Sequence, residues 1–307
     1  MPEVEGQTVA RGPDRGALAQ AVGAYFIWGF LPVYFNLLKA VPSLQVVAHR
    51  IVWSVLLLLG LLWIRKRLGA LWEALTTRAM LVPMMASAVL IGANWLIYIW
   101  AVTNGFIAAS SLGYFLNPLL NVLLGFLFLN ERLTPLQWVA VALAGLGVAI
   151  MATGALDALG ISLSLALSFA FYGLIRKVAP VGPMVGLASE TIILLPAALA
   201  MFAWWAIAGQ GRFGAVDGGT DALLIASGVV TALPLLLFAS AARRMKYATI
   251  GLIQYIGPTI QFLLAIFLYR EPLTAIHLVT FPLIWAGLVL YSWDAWRQSR
   301  LQDQAPA

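Results

Sequence analysis

Cysteine is absent from all 307 residues, so no disulfide, thiolate metal site or thiol redox centre can organise this chain. Charge is scarce too: Asp, Glu, Lys and Arg make up 10% of the residues, against about a quarter in soluble domains. So little charge cannot cover a water-facing surface. Histidine occurs only at His49 and His277, far apart in sequence and with no third donor clustered beside either, so no metal site is expected. The motifs H-E-x-x-H, Walker loop and G-x-S-x-G are missing, and the acids fall mostly at the ends of apolar runs. Neither an enzyme nor a cofactor is therefore expected.

What is present is apolar length. Hydrophobic residues make up 62% of the chain, and runs of about 20 residues match the thickness of a bilayer's hydrocarbon core. Ten such runs are predicted as membrane helices: Ala17 to Leu38, Leu44 to Ile64, Met80 to Val102, Ala108 to Leu129, Pro135 to Thr153, Leu156 to Ile175, Met184 to Ala208, Asp221 to Ala242, Ala248 to Tyr269 and Thr274 to Trp293. Short polar connections such as "NERLTP", "VAPVGP" and "YREPLT" separate them. The opening "MPEVEGQTVARGPDRG" is polar and has no apolar region of its own, so a mature first helix is expected, without a cleaved signal.

Lys and Arg set the orientation. With the N-terminus inside, fourteen of the 18 fall in cytoplasmic segments, while only Lys39, Arg212 and Arg270 fall outside and Arg50 lies within a span. Both termini are expected in the cytoplasm. The net charge of +6 follows from this topology, so nucleic acid is not an expected partner.

The chain also matches itself at an offset of 140 residues. Ala108 meets Ala248, Pro118 meets Pro258, Glu131 meets Glu271, Gly147 meets Gly287, and in the same phase Arg50 meets Glu190 and Asn94 meets Pro234. Only the first helix needs a shift of four, pairing Trp28-Gly29 with Tyr172-Gly173. Each half then holds five helices, an odd number, so equivalent helices run in opposite directions. The expected fold is all-α, with residues 17–153 and 154–293 as two inverted five-helix repeats between cytoplasmic segments 1–16 and 294–307. Inverted repeats with a site near midplane are an architecture of secondary transporters.

Polar groups deep in the runs mark candidate sites. Ser110, Tyr114, Asn117 and Asn121 recur at helical spacing on one face of the fourth helix, and the corresponding face of the ninth carries Gln254, Gly257 and Gln261. Amides both donate and accept, which suits a zwitterion, though they also bond helices together. Pro118 and Pro258 each delete an intrahelical hydrogen bond, as a paired hinge or a packing kink would. Tyr25, Trp28, Asn94, Trp95, Tyr98, Ser164, Ser168 and Tyr172 add a polar and aromatic wall. Arg50 and Glu190 lie about 9 Å into their helices at 1.5 Å per residue. With His49 they are candidates for coupling or gating, a carboxylate-binding Arg and a proton-carrying Glu, or for structural bonds to helix ends.

The segments "AYFIWGFLPVYF", "HRIVWS", "GANWLIYIWAV", "SLGYFLNPLLNVLLGFLFLNERL", "SFAFYGLIRK" and "IGLIQYIGPTIQFLLAIFLYREPLT" resemble the RarD branch of the drug/metabolite transporter superfamily, from about Tyr25 to Trp293. The resemblance implies two EamA-type halves, a bacterial inner-membrane carrier of small metabolites, and a cavity ringed by the first, third, fourth, sixth, eighth and ninth helices. Relatives in the superfamily include YddG-type amino acid exporters. The expected activity is alternating-access export, with amino acids or similar zwitterions as substrates. Efflux of chloramphenicol-like drugs, a channel and an intramembrane enzyme are the alternatives. The partners expected are that substrate and the lipid bilayer, in a monomer or weak dimer, with proton coupling left open.

Overall fold

The computed structural model describes residues 14–103, 107–153, 159–268, 270 and 275–303. Arg11, Leu156, Tyr269 and Glu271, with the side chains of Ser110, His277 and Arg300, lie outside the described residues. Thirteen helices follow in order: α1 (Arg15–Gly29), α2 (Leu31–Leu37), α3 (Ser43–Ile64), α4 (Leu68–Thr76), α5 (Arg78–Thr103), α6 (Ile107–Leu129), α7 (Pro135–Ala152), α8 (Leu159–Val178), α9 (Pro183–Ile207), α10 (Gly218–Ala242), α11 (Tyr247–Ile253), α12 (Ile256–Phe267) and α13 (Ala275–Asp303).

Among the described residues nine stretches are long and apolar enough to cross a membrane, α1 and α2 counting as one. The predicted ninth span is the difference, since it is built as two shorter helices, α11 and α12. Proline explains the break: Pro258 has no N–H to give the carbonyl of Gln254, which accepts instead from Gly257 at 3.0 Å. Pro118 leaves α6 continuous, so the two matched prolines sit in different local structures. Two further differences are helical extensions. The connection after Ile64 forms α4, whose Leu71 and Ala74 are buried against α5 and α9 while Trp72 faces outward. The segment after Trp293 continues α13 to Asp303, with Gln298 donating to Asp294 one turn back at 2.6 Å.

Large apolar side chains such as Leu56, Trp63, Val89, Phe128 and Ile207 point outward, the arrangement expected where lipid is the solvent. Helices touch through small residues instead. A Cβ on Gly228 of α10 would lie 2.6 Å from the Trp53 backbone of α3, and one on Gly251 of α11 would lie 2.7 Å from the Pro118 carbonyl of α6. One apolar core joins α1, α3, α5, α8, α9 and α10; a second joins α6 and α7 with α11, α12 and α13. Between these cores runs a cavity.

Candidate functional site

The cavity has a void of about 870 Å³, counting its open mouth. Its wall comes from the half of the bundle nearer the α2–α3 connection: the C-terminal half of α1, α2, the start of α3, the C-terminal part of α5, Tyr114 of α6, Phe169 of α8, Leu235 of α10, and α12 with Gln254 before it. Of the residues expected to bind substrate, Tyr25, Trp28, Asn94, Trp95, Tyr98, Tyr114, Gln254 and Gln261 line it, and so does Pro258.

Asn117, Asn121 and Tyr172 sit behind the wall. Asn117 is 1% exposed and donates to the Ala166 carbonyl at 2.8 Å, tying α6 to α8. Asn121 donates to Gln254 Oε1 at 3.1 Å, and Tyr25 donates to the same oxygen at 3.4 Å, so Asn121 braces a wall residue. Gln261 donates to the Trp28 carbonyl at 3.2 Å, where α1 is about to break. Asn94 donates to the Leu165 carbonyl and to Ser168 Oγ, both at 2.9 Å.

Arg50 also opens into the cavity, from the second of the predicted spans and not from one of the six that the resemblance implied. Its Nε donates to Thr231 Oγ1 at 2.8 Å, and its guanidinium lies 4.8 Å from the Trp95 ring and 5.5 Å from the Phe35 ring. Contact with aromatic faces stabilises a cation out of bulk water. Glu190, which Arg50 meets at the 140-residue offset, is fully buried away from the cavity, 3.4 Å from Arg176 and bonded by Ser87 at 2.6 Å and Tyr172 at 3.4 Å. His49 also lies outside the wall, its ring against Phe202 and Phe213.

Away from the cavity, side-chain contacts join the helices. Tyr172 stacks on Phe238, whose edge meets Tyr25, and Tyr247 donates to the Ala170 carbonyl at 2.6 Å. Asn130 ends α6 in a left-handed conformation, φ 52°, which asparagine tolerates, and turns the chain so that Glu131 meets the start of α11. There the carboxylate accepts from the backbone N–H groups of Tyr247 at 2.6 Å and Ala248 at 2.9 Å, and Lys177 approaches to 3.8 Å. An anion at the positive end of a helix dipole makes this contact favourable.

Phe35 and Phe169 are wall residues that the sequence reading did not select. Phe169 stands one turn from Tyr172, so helical spacing could have found it; Phe35 is placed by the α1–α2 break, for which only Pro32 gave a signal.

Residues 15–153 match the EamA-like transporter family. The chain is 47% identical over 284 residues to an uncharacterized transporter of Pseudomonas aeruginosa, covering 92% of this chain and 94% of that protein. Against Protein RarD of Escherichia coli the identity is 44% over 284 residues, covering 92% and 95%. The chain belongs to the RarD branch of the drug/metabolite transporter superfamily. As a RarD-type protein it is a multi-span transporter of the bacterial inner membrane. Another RarD-type relative, the "chloramphenicol-sensitive protein RarD" of Pseudomonas aeruginosa, is 34% identical over 290 residues, 92% of this chain and 95% of that one. A solved crystal structure at 19% identity superposes with a TM-score of 0.69, covering 91% of this chain and 98% of that chain, which places the RarD-type fold among known ones.

Proposed function

We propose that this RarD-type transporter is an alternating-access carrier that exports small metabolites, with amino acids as the leading class. The observation that carries the reading is the cavity, which offers a guanidinium, the amides of Asn94, Gln254 and Gln261, and phenols within an aromatic wall. A polar head and an apolar tail both find partners there. Helix packing supports the inverted repeat: α3 packs on its counterpart α9, α6 on α11 and α7 on α13, while the α1–α10 contact has its counterpart in α8–α5. A two-fold relation of this kind supplies two conformations facing opposite ways. With α11 and α12 taken as one crossing and the Lys/Arg bias setting the orientation, there are ten spans, both termini are cytoplasmic and the cavity faces outward.

Counterflow into liposomes of a labelled panel of amino acids tests the substrate class; silence across the whole panel would sink it. Gln261→Ala and Asn117→Ala are both expected to slow counterflow, the first through the wall and the second through the α6–α8 contact that supports it. Chloramphenicol belongs in the same panel, because the aromatic wall and the name of one relative favour a neutral aromatic drug as the second reading. Its counterflow without that of any amino acid would replace the first reading by drug efflux. Rates with and without a proton gradient, in wild type and Glu190→Gln, decide the coupling.

A further inference from the structure

Among the described residues, two cations inside the bundle other than Arg50 are paired with carboxylates. Arg176 has Glu190 at 3.4 Å and Lys177 has Glu131 at 3.8 Å. Arg50 stands apart: among the described residues no carboxylate lies within ion-pairing distance of it, and it is the only charged residue in the cavity wall. Its Nε is taken by Thr231, and no hydrogen bond from its terminal nitrogens is found among the described residues. Those donors are thus unused among the described residues, in a side chain that lines the cavity. A guanidinium edge presents paired N–H groups at the spacing of a carboxylate's two oxygens. A cation kept at this depth in a chain so poor in charge calls for a counter-charge, and here the solute has to bring it.

We infer that Arg50 selects the transported species by its carboxylate, and that the cavity does not read an ammonium by charge. The inference rests on the carrier reading above but not on any one amino acid. Among the described residues no Asp or Glu lines the cavity, so an α-ammonium meets ring faces and the oxygens of amides and phenols, which accept neutral groups as well. The substrate class is small organic carboxylates with a neutral or zwitterionic body. It includes N-acylated and 2-hydroxy analogues of amino acids, while the decarboxylated amines are excluded.

The natural absence of cysteine permits a test that needs no known substrate. Leu235, one turn from Thr231 on α10, lines the cavity and is replaced in Leu235→Cys; Leu31→Cys offers a second wall position should the first fold poorly. Each variant is reacted with an anionic sulfonatoethyl methanethiosulfonate and with its cationic trimethylammonium counterpart, and the rate ratio is normalised to that of free 2-mercaptoethanol. The expected normalised ratio favours the anion by about tenfold and falls toward one on adding Arg50→Gln. A ratio near one in the Arg50 protein, or one unchanged by Arg50→Gln, overturns the inference.

Competition then extends the test to transport, with whichever amino acid counterflows used as the labelled probe. Unlabelled leucine and N-acetyl-leucine are expected to compete, 3-methylbutylamine is not, and Arg50→Gln is expected to weaken the carboxylates by about 30-fold or more. Equal competition by the amine overturns the inference. If no amino acid counterflows, the amino acid reading falls, while the reagent ratio still decides the role of Arg50.

Discussion

Glu190 and Arg176 are 0% and 1% exposed, and neither charge has water to turn to if its partner is lost. Removing one member of a buried ion pair leaves the other uncompensated, at a cost of about 3–5 kcal/mol, whereas replacing both with apolar groups of similar volume is often close to neutral. Glu190→Leu is therefore expected to lower the unfolding midpoint in detergent sharply, and Glu190→Leu with Arg176→Met to recover most of the loss. Failure of the double variant to recover would show that Ser87 and Tyr172, which also bond Glu190, matter more than the charge. At the membrane surface, Asp14 caps α1. The backbone N–H of Ala17, more than the charge of Arg244, holds its carboxyl below the ordinary value of 3.8. A lowered pKa means that its contribution is present above that value and is lost as pH falls through the folded-state pKa. Amide-exchange protection at Gly16 and Ala17 should decline on acidification in wild type, and the decline should be weaker in Asp14→Asn.

At the scale of elements, small residues decide how near the helices come. Gly228 brings α10 against the backbone of α3, so Gly228→Ala must push the two apart and is expected to cost about 1–3 kcal/mol. Gly60, on the same α3, has nothing within 4 Å of the added Cβ. Gly60→Ala is expected to be neutral or stabilising by up to about 1 kcal/mol through helix propensity alone. Thermal unfolding of the two variants side by side separates packing from propensity. The α11–α12 break shows a limit of motif reading. Pro118 and Pro258 are equivalent in sequence, yet only Pro258 coincides with an interrupted helix. The Gln254 carbonyl, without a donor from Pro258, accepts from Gly257, while the Gln254 side-chain Oε1 at the cavity wall accepts from Tyr25 and Asn121.

For the whole molecule, the outward-facing state proposed here is held shut at its other end by Glu131 on the N-terminus of α11. Glu131→Ala removes two charge-assisted hydrogen bonds and a partner of Lys177, so that end should open more often. Ala242, buried beside the Lys177 contact, reports on this when changed to cysteine. Labelling of Ala242→Cys by an impermeant maleimide in inside-out vesicles is expected to rise several-fold in the Glu131→Ala background. No change would remove Glu131 from the closing contact.

Much of this protein was legible without coordinates, because in a membrane a segment must be long, apolar and self-bonded, and hydropathy reports all three. The apolar runs and most of their boundaries follow from that constraint, and the family follows from motifs read in order. Most of the wall was legible too, since polar and aromatic residues recurring at helical spacing share a face. The sequence could not say which face looks into the cavity and which into a neighbouring helix, as Asn117 and Asn121 show against Gln254 and Gln261. An amide serves either surface equally well, and the choice depends on how far apart the helices stand. The pairing of charges was equally hidden. Arg50 and Glu190 match at the 140-residue offset, but only the tertiary structure puts Glu190 against Arg176 and Arg50 in the cavity wall, because which groups meet depends on how the helices pack.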